Sequence, residues 1–117
     1  MRTQDMLRAA RRDGKAAGLS CASWVEYRDA EATRAMLKGI EDGDPAVLDS
    51  LREPNLSGEW AGDPTPQSLA EDYELGADRD PDGWRLDAAC SEWEEAARSA
   101  FWAEVERSAR YYAAEGR

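Results

Sequence analysis

The 117-residue sequence contains no histidine, one phenylalanine, one isoleucine, two cysteines and two lysines. Each shortage closes off a class of chemistry. Without histidine, the commonest general acid–base group and the commonest metal ligand are both missing. A serine or cysteine nucleophile would then need a lysine as its base, and nothing places Lys15 or Lys38 beside one. Cys21 and Cys90 stand alone with no CxxC pair. They read as two small buried thiols in a reducing compartment, not as a disulfide framework or a zinc site. No glycine-rich turn ends in Lys and Ser or Thr, which excludes a P-loop. No run approaches the roughly 18 to 20 apolar residues of a membrane span. The charged start of the chain (Arg2, Asp5, Arg8, Arg11, Arg12, Asp13) has no apolar signal core. The expectation is a cytoplasmic protein without cofactor or bound metal.

Aliphatic residues are scarce as well. Leu, Ile, Val and Phe total 14, and the net charge is −10, a combination that approaches disordered chains. Five Trp and four Tyr work against disorder. A buried aromatic ring removes about 150–250 Å² from water. At about 25 cal/mol per Å², a few such rings replace many aliphatic side chains. The length fits one domain, residues 1–117, with irregular acidic loops at about 53–65 and 76–83.

The charge is concentrated. Residues 1–20 are net +3, residues 21–40 are neutral, and residues 41–95 carry 17 acids against Arg52, Arg79 and Arg85. Such asymmetry speaks to partners and solubility rather than to fold.

Periodicity predicts an all-α fold of four to five helices in a small bundle. Thr3 is a plausible N-cap for a helix over about 4–27, continuous or broken near Gly18–Ser20. Its stripe Leu7, Ala10, Gly14, Ala17, Cys21 and Trp24 consists mostly of small residues, which lets another helix approach closely. A second helix runs from Asp29 to Asp42, with Ala32, Ala35, Met36, Gly39 and Ile40 inward and Gly43 as its stop. Asp44–Pro45 and Thr65–Pro66 each combine a cap with a proline at the first helical position. They start two short helices, burying Val47, Leu48 and Leu51 in one and Leu69, Tyr73 and Leu75 in the other. Leu56 and Trp60 pin the intervening loop onto the core. The last helix runs from Asp80–Pro81 to about Ala114 along Leu86, Cys90, Trp93, Ala97, Phe101, Val105 and Tyr112. It would span roughly 50 Å, so its tail would project or pair with another copy.

Few constellations suggest chemistry. Glu71 with Glu74, and Glu92 with Glu95, could hold Mg²⁺ between two helices. That arrangement is similar to the acidic pairs of all-α nucleotide pyrophosphohydrolases, although two such pairs are expected by chance among 25 acids. Asp78, Asp80 and Asp82 alternate as in a calcium loop, but Ala89 stands where the bidentate Glu is needed. Arg8, Arg11, Arg12 and Lys15 form a basic face that neutralises the protein's own acids rather than binding nucleic acid directly.

The acidic middle is the feature with functional character. Its residues are Glu41, Asp42, Asp44, Asp49, Glu53, Glu59, Asp63, Glu71, Asp72, Glu74, Asp78, Asp80 and Asp82. Carboxylates on a helical frame can imitate the phosphates of a duplex, spaced about 1.7 Å apart along its axis. Trp60 beside them would supply a hydrophobic anchor. The competing reading is a solvated surface that confers solubility.

The segments GIEDGDPAVLDSL (Gly39–Leu51), LSGEWAGDPTPQSLAEDY (Leu56–Tyr73) and FWAEVERSARYY (Phe101–Tyr112) resemble a group of small acidic proteins encoded by actinobacterial phages and prophages. The resemblance covers most of the chain after Ser23 and carries no active site. It implies an accessory protein inside a bacterial host cell, of the anti-CRISPR or anti-restriction type, that occludes a basic host protein or ribonucleoprotein complex. Two rival expectations remain. One is a self-associating scaffold, such as a homodimer, and the other is the Mg²⁺-dependent hydrolase.

Overall fold

Small residues dominate the inward face of the first helix and are interspersed with large ones on that of the last, and this sets the architecture. The computed structural model describes residues 2–51, 56, 58–76 and 78–115. Five helices and no strand occur among them: α1 (Thr3–Ala22), α2 (Ala30–Asp42), α3 (Pro45–Leu51), α4 (Pro66–Asp72) and α5 (Trp84–Glu115). The all-α expectation holds.

Helix α5 is the spine. Its 32 residues extend for about 48 Å at 1.5 Å per residue. The molecule is correspondingly elongated, with principal extents of 58 × 23 × 21 Å. Helix α1 lies along its first half. Gly14 abuts the Trp93 carbonyl and Gly18 the Ala97 carbonyl, so both contacts advance in the same direction and the helices run parallel. Arg11 meets Glu92 one turn earlier, at 3.7 Å. A methyl group at either glycine would collide with backbone, which explains two glycines inside an unbroken helix despite a propensity cost of about 1 kcal/mol each. Ala10, Ala17 and Cys21 are buried as the stripe predicts. Leu7 is only half-buried, and Met6 takes the core position instead. Thr3 is not the cap: it is already helical, and Arg2 precedes it with no side-chain cap bond.

Helix α2 covers the second half of α5. Asp29 caps its start by accepting from the Ala32 amide at 2.8 Å. Gly43 ends it in the left-handed region, with the Asp44 amide reaching back to the Gly39 carbonyl. The buried face is Thr33, Gly39 and Ile40. Ala32 and Ala35, expected inward, are exposed. Thr33 tolerates burial because its hydroxyl donates to the Asp29 carbonyl at 2.9 Å. The end of α5 does not stand clear of the rest. Ala109 is fully buried, Tyr112 stacks on Tyr27 at 5.1 Å, and Arg34 donates to the Ala113 carbonyl.

The short helices are local structures. Asp44 accepts from the Ala46 amide to start α3, whose Val47, Leu48 and Leu51 are half-buried. Thr65 and Ser68 exchange side-chain and backbone bonds to start α4. Tyr73 and Leu75 lie just past its end and are buried. The described part of the 53–65 loop is irregular and turns inward. Leu56 and Trp60 are buried, and Trp60 inserts edge-on between Trp93 and Phe101 of α5, at 5.9 and 6.2 Å. The Ala61 amide donates to the Cys21 thiol at 3.3 Å, which ties the loop to α1.

Candidate functional site

The acidic residues separate into two groups. Glu41, Asp42, Asp44 and Asp49 belong to the α2–α3 elbow. Glu71, Asp72, Glu74, Asp78 and Asp82 belong to α4 and the turn that follows, beside the first half of α5. Among the described residues α3 packs on α2 alone and α4 on α5, so the two groups are not held together by direct contact. Adjacency along the chain thus overstated adjacency in space. Glu53 lies outside the described residues.

Several of these acids already have structural work. Asp80 is buried at 7 % exposure, and its carboxylate accepts the Arg85 and Leu86 amides at 3.2 and 3.1 Å. It caps α5 across the turn 81–83, which is why the helix begins at Trp84 rather than at Pro81. Its carboxylate is thereby turned away from any partner or calcium ion. Asp44 caps α3, Glu41 pairs with Arg110 at 3.3 Å, and Glu74 pairs with Arg79 at 3.3 Å. Glu74 also holds a left-handed backbone, φ +57°, in a helix end built like that of Gly43. Its neighbour Leu75 donates to the Ala70 carbonyl at 2.7 Å.

Trp60 corrects the expectation of a surface anchor. At 1 % exposure it belongs to the core, and its indole N–H finds no acceptor among the described residues. The acids of the stretch 41–82 that do face solvent with neither a helix cap nor an ion pair among the described residues are Asp42, Asp49, Asp63, Glu71, Asp72, Asp78 and Asp82. Glu59 is exposed too.

The glutamate pairs do not form a metal centre. Glu92 turns to Arg11 and Glu74 to Arg79. Among the described residues no three His, Cys, Asp or Glu side chains converge on one point. The geometry that the hydrolase reading requires is therefore missing there.

Sequence patterning gave no sign of an open cleft of 740 Å³ between the C-terminal end of α1, α2, α3 and the Trp60 loop. Phe101 and Cys21 lie at its base, and Val25, Met36 and Val47 line it as half-buried walls. Burial pushes the Cys21 thiol above its ordinary range, and the Ala61 amide opposes that only in part. Trp24, expected on the buried stripe, is 64 % exposed, because α1 ends at Ala22 and turns it outward. The signal available in the sequence was Trp24 and Val25 just ahead of the Asp29 cap, apolar residues in a segment belonging to neither helix.

No family model matches the chain, and neither the curated proteins nor the solved structures include a significant match.

Proposed function

We propose that this protein acts by binding, using its solvent-facing carboxylates to engage a macromolecular partner with a basic surface. The observation that carries this reading is the set of exposed acids in the stretch 41–82 that make neither a helix cap nor an ion pair among the described residues: Asp42, Asp49, Asp63, Glu71, Asp72, Asp78 and Asp82. Charges without internal partners raise the field outside the molecule and speed encounter with an opposite charge. A net charge of −10 disfavours direct contact with nucleic acid and favours a protein that itself handles nucleic acid. With the resemblance to small acidic phage proteins, the target class we favour is a host defence or nucleic-acid-handling complex, occluded in the manner of an anti-CRISPR or anti-restriction factor.

The test is retention of a basic protein or ribonucleoprotein from nuclease-treated actinobacterial lysate, with release by salt. A variant carrying Asp42→Lys, Asp49→Lys, Asp72→Lys and Asp78→Lys is expected to lose at least about tenfold in affinity for the retained partner. Undiminished retention by that variant sinks the reading.

A further inference from the structure

We propose that the cleft between α1, α2 and α3 is a docking groove for a basic, amphipathic segment of a partner protein, whose apolar side chains enter it while Lys or Arg residues meet its acidic flanks. The proposal rests on the acidic-surface reading and adds to it a place where binding becomes specific.

Six residues that line the cleft, Trp24, Glu26, Arg28, Ala32, Ser50 and Glu59, are exposed. Among the described residues it is therefore a groove open to solvent, not an enclosed chamber. Its base is apolar, and Trp24 is the most exposed large hydrophobic side chain among the described residues. An aromatic side chain left in water beside an apolar hollow loses hydrophobic free energy that a partner's side chains recover, and rims of polar groups around such hollows characterise binding hot spots. The volume of 740 Å³ has room for more than one large side chain.

Charge decides between occupants. Residues 26–51, which form α2, α3 and the approach to them, carry seven acids and three bases. In the lining itself stand two acids, Glu26 and Glu59, against one base, Arg28. A second copy of this chain would bring another −10 to that rim, and an acidic segment would be repelled. A segment with apolar residues on one face and basic residues beside them satisfies both walls and rim, as amphipathic helices do in grooves of this kind.

The test uses the full chain, isotope-labelled for NMR, and three synthetic helical peptides of equal length: a Leu/Lys peptide, a Ser/Lys peptide of the same charge, and a neutral Leu/Ser peptide. The Leu/Lys peptide is expected to bind at least about tenfold tighter than either other peptide. It should shift the Val25, Met36 and Val47 amides and the Trp24 indole. Trp24→Ser alters an exposed side chain and leaves the core intact; it should weaken binding about tenfold, while Glu71→Lys with Asp72→Lys, on α4, should change it less than about threefold.

Equal binding of the Ser/Lys peptide with an unperturbed cleft overturns the groove and leaves the acidic-surface reading standing. Equal binding of the neutral Leu/Ser peptide in the cleft overturns the basic partner and weakens that reading. Cleft resonances that move with protein concentration alone assign the groove to a second copy, against the proposal. Absence of binding by all three peptides overturns the groove, while retention of a salt-released partner from lysate decides the acidic surface separately.

Discussion

Gly14 of α1 rests directly against the backbone carbonyl of Trp93 in α5, and an added methyl group has nowhere to go. Intrinsic propensity favours alanine over glycine in a helix by about 1 kcal/mol. Here the collision outweighs it, because the opposing atom is backbone and cannot rotate aside. Gly14→Ala and Gly18→Ala are each expected to destabilise the protein by about 1–3 kcal/mol in urea unfolding. Gly76→Ala, which faces open space, should stay within about 0.5 kcal/mol. A stabilised Gly14→Ala protein would mean that the two helices lie further apart.

Trp60 distinguishes a core pin from a surface anchor. Trp60→Ala is expected to cost about 3–5 kcal/mol of stability through the cavity left between Trp93 and Phe101. Unchanged thermal unfolding, with altered partner binding, would return this residue to the surface role.

Asp80 and Glu74 invite opposite substitutions. Removing the two amide bonds at the start of α5 with Asp80→Ala should cost about 1–2 kcal/mol. Glu74→Gly should instead stabilise by about 1 kcal/mol, since glycine adopts the left-handed conformation without the Cβ penalty. The exposed pair with Arg79 that it gives up contributes little. Chemical denaturation of both variants checks the pair of signs.

Alkaline pH should unfold the protein through its buried phenol. Tyr73 donates to Asp13 at 2.7 Å, and burial, with the neighbouring carboxylate, holds its ionisation well above the ordinary tyrosine range. The unfolded chain therefore releases this proton first. The contribution is fully present below about pH 10, where the unfolded tyrosine ionises, and is lost as pH rises beyond it. Tyr73→Phe should flatten that part of the stability profile; an identical profile would mean that other groups drive the transition.

Cys90 should react with a thiol reagent before Cys21. Burial raises both thiols above their ordinary range, and Asp87 and Glu94 raise Cys90 further. Cys21, however, is 5 % exposed and tied to the Ala61 amide, whereas Cys90 is half-buried. Labelling of Cys21 should track unfolding, and mass spectrometry of partly labelled protein reports the order.

Local signals in the sequence carried much of this fold. Asp29 with Gly43, Asp44 with Pro45, and Thr65 with Pro66 bound their helices because caps act within one turn of chain. Three other local features read differently in the structure. Thr3 looks like a cap but is itself the first helical residue, and Asp80 caps a helix that begins four residues on. Thr33 displaced Ala32 and Ala35 from the buried face of α2 because its hydroxyl is satisfied within its own turn. The candidate site fared less well. Acids that lie close in sequence fall on the separate α2–α3 and α4 elements, and the cleft joins Val25, Met36, Val47 and Phe101 from four parts of the chain. Neither arrangement leaves a periodic trace.

The parallel pairing of α1 with α5 also bears on how the chain is made. Gly14 must wait for Trp93, 79 positions later, before its face is covered. During synthesis α1 therefore leaves the ribosome long before its partner exists. A stripe of glycine and alanine suits that delay. It offers a nascent chain little adhesive surface while it waits, yet seats α5 closely once that helix arrives.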